Sequence, residues 1–133
     1  MYGCESNNHS RKVGDDLYIW DVHRLIRRAK ELPRMQIPLS QIAEIDELWW
    51  YQTDSDIPTP QTLSEHMILV QKADLKYPII LCSEGRLMDG MHRVVRALAE
   101  GQATISAVKF EETPEPDFIN VDVDSLPYPD EDV

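Results

Sequence analysis

Five consecutive residues, Asp89-Gly90-Met91-His92-Arg93, combine the backbone freedom and the side chains that phosphate handling needs. A glycine at a strand-to-helix turn lets the backbone come close to a ligand. The first amides of the helix that follows point outward without intrahelical partners, at the positive end of the helix dipole. Such a terminus accepts anions, phosphate above all. Arg93 supplies a bidentate fork for phosphate oxygens. His92 supplies a hydrogen-bond donor, or a proton carrier near neutral pH. Asp89 repels a bare phosphate, so its uses are to hold Mg²⁺ or to accept a ligand hydroxyl. The same spacing also suits a structural strand–Asp-Gly–helix junction, whose His and Arg cap and salt-bridge. Arg96 lies on the same helix but outside the motif, and serves as its internal control.

The flanking segments must position this motif. Tyr77-Pro78-Ile79-Ile80-Leu81-Cys82 is a continuous apolar run suited to a buried strand, with Cys82 an ordinary buried thiol. Ser83-Glu84-Gly85 make a turn and Arg86-Leu87-Met88 the returning strand of a hairpin. Met91 to Glu100 is a helix, ended by Gly101, and 103–110 alternate as a final strand. Upstream, Asp21 suits the N-cap of a helix over 21–32. Its stripe is Val22, Leu25, Ile26, Ala29 and Leu32, and Pro33 stops it. Arg24, Arg27, Arg28 and Lys30 occupy the other face, either solvated or docking an anion or a protein. Met35 to Leu39 reads as an edge strand because Pro38 cannot donate to a ladder. Ser40 caps a brief helical turn through Leu48. Trp49, Trp50 and Tyr51 follow, as core or as a platform for a flat ligand. After a loop over 54–60, Thr62 opens a helix with Glu65 at capping-box spacing and Leu63, Met67 and Val70 as its stripe. This order is an α+β pattern: a small mixed sheet with packed helices.

Composition narrows the classes. The 133 residues make one domain with tails, and no apolar run approaches the roughly 20 residues of a membrane span. The polar N-terminus lacks the apolar stretch of a signal peptide, and Cys4 and Cys82 make no disulfide scaffold. A cytoplasmic protein is the expectation. Net charge is −11, and nine of the 24 acids fall in residues 111–133, which hold no Lys or Arg and four of the nine prolines. The expected organisation is a flexible arm over 1–16, one domain over 17–113, and an extended acidic, Pro-rich tail over 114–133. The tail either solubilises or docks on a basic patch of its own or a partner chain. With one basic helix face and an acidic total, general nucleic-acid binding is not expected.

The stretch PIILCSEGRLMDGMHRVVRALAEGQATISAVKF resembles the ParB-like and sulfiredoxin superfamily. There a hairpin feeds a glycine-containing phosphate loop, a helix and a further strand. QIPLSQI resembles the short early strand of those proteins, and 62–76 the helix before their hairpin. The resemblance spans about residues 35–110. It implies ATP or CTP as ligand, with Gly90, Met91, His92 and Arg93 holding phosphates and Asp89 assisting Mg²⁺. Sulfiredoxins carry Gly-Gly-Cys-His-Arg; Met91 stands where their catalytic cysteine would be, and a thioether cannot do thiol chemistry. Partitioning ParB proteins continue into a helix-turn-helix domain that has no counterpart in this sequence, so no sequence-specific DNA binding is expected. The nearest loop is the Asp-Gly-His-His-Arg of the superfamily's serine kinases.

A kinase needs a base for the acceptor hydroxyl. Glu44, Asp46 and Glu47 are the candidates, where the resemblance implies an acidic residue; a solvated acidic helix end is the other reading. His66 reads as a surface or half-buried residue, and His9 and His23 have no evident partners. With no Cys/His pair at ligand spacing, a structural zinc site is not expected. Two functions stand open. One is a small phosphotransferase or NTPase using the Asp-Gly-Met-His-Arg loop, with Glu44, Glu47 and His92 as catalytic groups. The other is a regulatory module that binds a nucleotide or phosphorylated metabolite without turnover, with a protein partner. A nuclease role fits poorly with the charge of −11.

Overall fold

The structure, a computed structural model, describes residues 8–51 and 57–121. Its elements are β1 (Asn8–Val13), β2 (Asp16–Asp21), α1 (Val22–Ala29), β3 (Met35–Pro38), α2 (Pro60–Lys72), β4 (Ile79–Leu81), β5 (Leu87–Asp89), α3 (Met91–Ala99), β6 (Thr104–Lys109) and β7 (Phe118–Ile119). Two 3₁₀ turns, Leu39–Gln41 and Ala43–Asp46, stand where one brief helical turn was expected. The α+β class holds, but the strands form two sheets rather than one. A three-stranded sheet has the order β1-β2-β7 and a four-stranded sheet the order β3-β6-β4-β5.

The four-stranded sheet is the spine. Its strand β6 runs parallel to β4 and antiparallel to the edge strand β3, while β5 returns antiparallel on β4. Side chains alternate across it, as strand geometry requires. Ile79, Leu81, Ile105 and Ala107 face one core with Met91, Val94 and Ala97 of α3. Ile80, Cys82, Val108 and Phe110 face a second core with Trp20 and with Val22 and Leu25 of α1. Burial on both faces explains why the 77–82 run is continuously apolar instead of alternating. Asp21 caps α1 as expected, accepting from the His23 amide at 2.9 Å. At the other end of the motif helix, Gly101 (φ 76°) ends α3: its amide reaches Leu98 O and the Gln102 amide reaches Ala97 O at 3.0 Å, a Schellman closure.

Three expectations are corrected. Residues 8–13 of the expected arm are β1, fully paired along β2; residues 1–7 lie outside the described residues. The tail begins with structure, since Phe118–Ile119 pair with β2 and Asp117 bonds Arg24 of α1 at 2.5 Å; residues 122–133 lie outside the described residues. The described part of the tail thus docks on the chain's own basic helix. Finally, α2 starts earlier than expected, with Thr59 as N-cap and Thr59–Thr62 as the capping box in place of Thr62–Glu65. Its stripe is not core either: no residue of α2 is buried, and Leu63 and Met67 are exposed. Among the described residues no helix is long and apolar enough to cross a membrane.

Candidate functional site at the start of α3

Gly90 is the N-cap of α3, with φ 115° and ψ 22°. A Cβ there would lie 2.7 Å from Ile79 Cγ2 and 3.0 Å from Arg93 Nη2. Both the positive φ and the crowding demand glycine. The turn therefore sits where the motif reading puts it, between a strand and a helix.

The three side chains after Gly90 then go three ways, because successive helical residues point about 100° apart. Met91 is core, packed with Val94 under the sheet. Arg93 turns back along the helix, and its Nη2 donates to Asp89 Oδ2 at 2.8 Å. Both side chains are almost wholly buried, at 2 % and 4 % exposure. Asp89 and Arg93 stand at i, i+4, and this salt bridge neutralises the two charges against each other. They line a cleft of about 300 Å³ whose apolar walls come from α1, β4 and β6 (Ile26, Ala29, Ile80 and Val108 among them). Lys30, Arg34 and Tyr77 complete it. Three cations and one carboxylate leave it positive.

His92 points the other way, toward α2. Its Nε2 lies 2.9 Å from Nδ1 of His66. Trp50 stacks on His66 at 3.9 Å with an interplanar angle of 8°, and on His92 at 4.7 Å and 22°. The aromatic trio at 49–51 is thus half-buried packing, not an open platform. Burial, and next the neighbouring His92, hold the His66 imidazole below its ordinary value, against an opposing pull from Glu65. Arg96 is no bystander: it donates to Gln71 O and Ala73 O at the end of α2 and pairs with Glu100 at 2.9 Å.

The acids at 44–47 are elsewhere. Glu44 is buried rather than solvated, at 1 % exposure. Its Oε2 accepts from Arg86 Nε at 2.9 Å and from the Leu87 amide at 3.3 Å. Glu47 pairs with Arg86 Nη2 at 3.2 Å, and Asp46 is exposed. Leu87 opens β5 and Gly90 follows its far end, about 10 Å away at roughly 3.3 Å per residue. Glu44 and Glu47 line a different cleft from Asp89 and Arg93. His9 is buried and neutral, its pKa pushed down to about 3 by burial first and then by Arg11 and Arg86. Sequence reasoning missed Tyr77, the Lys30–Arg34–Arg93 grouping and the His66–His92 contact. Only the i, i+4 spacing of Asp89 and Arg93 carried a signal.

No family model, curated protein or solved structure matches the chain.

Proposed function

We propose that this chain is a binding domain for a nucleotide or a phosphorylated small molecule, in a cytoplasmic setting and without turnover. The observation that carries the reading is the cleft floored by Asp89 and Arg93. Lys30 and Arg34 flank the buried pair, and the apolar remainder suits a base or another flat body. A concave, mostly apolar pocket with a few converging polar groups is where small molecules bind. A net positive cleft favours a phosphate, and the exposed Lys30 and Arg34 at its edge are the cations placed to meet one. The chain order β4, β5, glycine turn, α3, β6 supports the ParB/sulfiredoxin-like architecture as part of the same proposal.

The phosphotransferase alternative needs a base beside the transferred group. Glu44 is held by Arg86 and Leu87 in the other cleft, which favours binding over turnover. Among the described residues Asp89 is the one carboxylate that lines the cleft at α3, and it is engaged by Arg93. Mg²⁺ would then arrive with the nucleotide phosphates rather than be held by Asp89, whose carboxylate Arg93 already engages.

The test is a melting panel with ATP, CTP, GTP, ADP and inorganic phosphate, each with and without Mg²⁺. At 100 times Kd a ligand stabilises the fold by about 2.7 kcal/mol. The double variant Lys30→Glu, Arg34→Glu should lose that response with its ligand-free melting little changed, because both side chains lie at the surface. No response from any of the five, or a response that survives the double variant, refutes the reading.

A further inference from the structure

A second cleft, of about 560 Å³, lies at the opposite end of β5, between β1, the 3₁₀ turn at 43–46 and the start of β5. Its charges are Arg11, Lys12 and Arg86 against Glu44 and Glu47, a net of +1. His9 adds none, since it is neutral, and its Nε2 lies 3.3 Å from Arg11 Nη2, which steadies that guanidinium at the wall.

Two residues that line this cleft each carry a buried polar atom without a hydrogen-bond partner among the described residues: Glu44 its Oε1 and Tyr51 its hydroxyl. The first can only accept and the second can donate. Leaving such groups unpaired in the interior is costly, so they favour any guest that pairs with them. Glu44 cannot swing away, because Arg86 Nε and the Leu87 amide hold its other oxygen. Glu47 is nearly half exposed, at 45 %, so it can turn aside at the mouth while Arg86 stays on Glu44.

These features select a ligand class. A cation meets three like charges. A bare anion leaves Glu44 Oε1 facing negative charge. A divalent metal meets the guanidinium already seated on Glu44. A hydroxyl suits Oε1, and an anionic group beside it suits Arg11, Lys12 and the Tyr51 hydroxyl.

We propose that this cleft binds a small hydroxylated anion, either a hydroxy acid or a phosphorylated polyol. The hydroxyl donates to Glu44 Oε1, and the anionic oxygens accept from Lys12, Arg11 and Tyr51. The proposal is independent of the phosphate cleft at α3.

Calorimetric titration of the full chain tests it with four probes: glycerol 3-phosphate, glycerate, inorganic phosphate and glycerol. At least one of the first two should bind ten or more times tighter than phosphate or glycerol, and the tighter of the pair names the anionic group. Lys12→Glu takes the cleft from +1 to −1. It should cut that affinity at least tenfold with the ligand-free melting unchanged, since Lys12 is exposed. Glu44→Gln should erase the preference for the hydroxylated probe over phosphate. If Glu44→Gln does not fold, Tyr51→Phe takes its place and should weaken binding several-fold. Lys30→Glu, in the other cleft, should leave these affinities alone, so failure here is separable from failure of the nucleotide reading. Equal binding of all four probes, no binding by either hydroxylated anion, or insensitivity to Lys12→Glu overturns the proposal.

Discussion

His66 Nδ1 and His92 Nε2 meet at 2.9 Å, joining α2 to the first turn of α3, with Trp50 lying against both rings. A nitrogen–nitrogen contact that short takes one proton between two otherwise bare nitrogens. The pair links the motif to a helix that buries no residue of its own.

Acid should break this link. The folded-state value of His66 is lowered, so its contribution to stability is present above the unfolded value of about 6.5 and lost as pH falls through the folded one. Imidazole NMR should show His66 titrating below its ordinary value. His92→Gln removes one of the two causes of that lowering, and should move the midpoint upward. A midpoint at or above the ordinary value in the parent chain would contradict the contact.

Arg93→Ala should unfold the protein more readily even without ligand. It takes the salt-bridge partner from a carboxylate buried in the interior, a loss of about 3–5 kcal/mol. Asp89→Asn combined with Arg93→Met should recover part of it, because that site then buries no charge. Denaturant melts of the parent and the two variants check the order. A ligand-free Arg93→Ala protein as stable as the parent would show that the pair is not structural. Arg96→Ala should also cost stability, through its carbonyl contacts at the end of α2.

His9 sets a second acid dependence with the same sign. It is buried and lowered to about 3, so its share of stability is intact above pH 6.5 and drains between there and pH 3. The full difference is roughly 5 kcal/mol, at 1.36 kcal/mol per unit. His9→Phe keeps a ring between Trp20 and Trp49 and should flatten the acid limb of a stability–pH curve. An unchanged acid limb would mean that other groups carry it.

Gly90→Ala should destabilise whether or not a ligand exists. The positive φ alone costs roughly 1–2 kcal/mol for a residue with a Cβ. The contact with Ile79 Cγ2 at 2.7 Å adds an overpacking cost of about 1–3 kcal/mol. Denaturant melts of Gly90→Ala and of the parent chain measure the sum of the two shares. A Gly90→Ala protein as stable as the parent would show that neither the backbone conformation nor the contact with Ile79 is strained.

What the sequence settled by itself is local. The Asp21 cap, the Gly90 turn, α3 with its Gly101 stop and the β4–β5 hairpin depend on neighbours within a few residues, where spacing and turn chemistry decide. Asp89 and Arg93 also fall in this class, since a helical turn brings i and i+4 together. The tertiary structure decided the rest, because it turns on pairings between distant parts of the chain. Tyr18 meets Ile119 and so makes a strand of a segment whose acids and prolines read as tail. His9 becomes core only because β1 folds onto β2 and lays its ring between Trp20 and Trp49. Glu44 becomes a buried ion-pair partner only when Arg86 arrives from the β4–β5 turn. The motif shows the same divide at its smallest scale. His92 and Arg93 are adjacent in the chain, yet helix geometry sends one to α2 and the other to the α1 cleft. Which of them meets a ligand is set by the elements packed on either side, and no spacing within the motif encodes those.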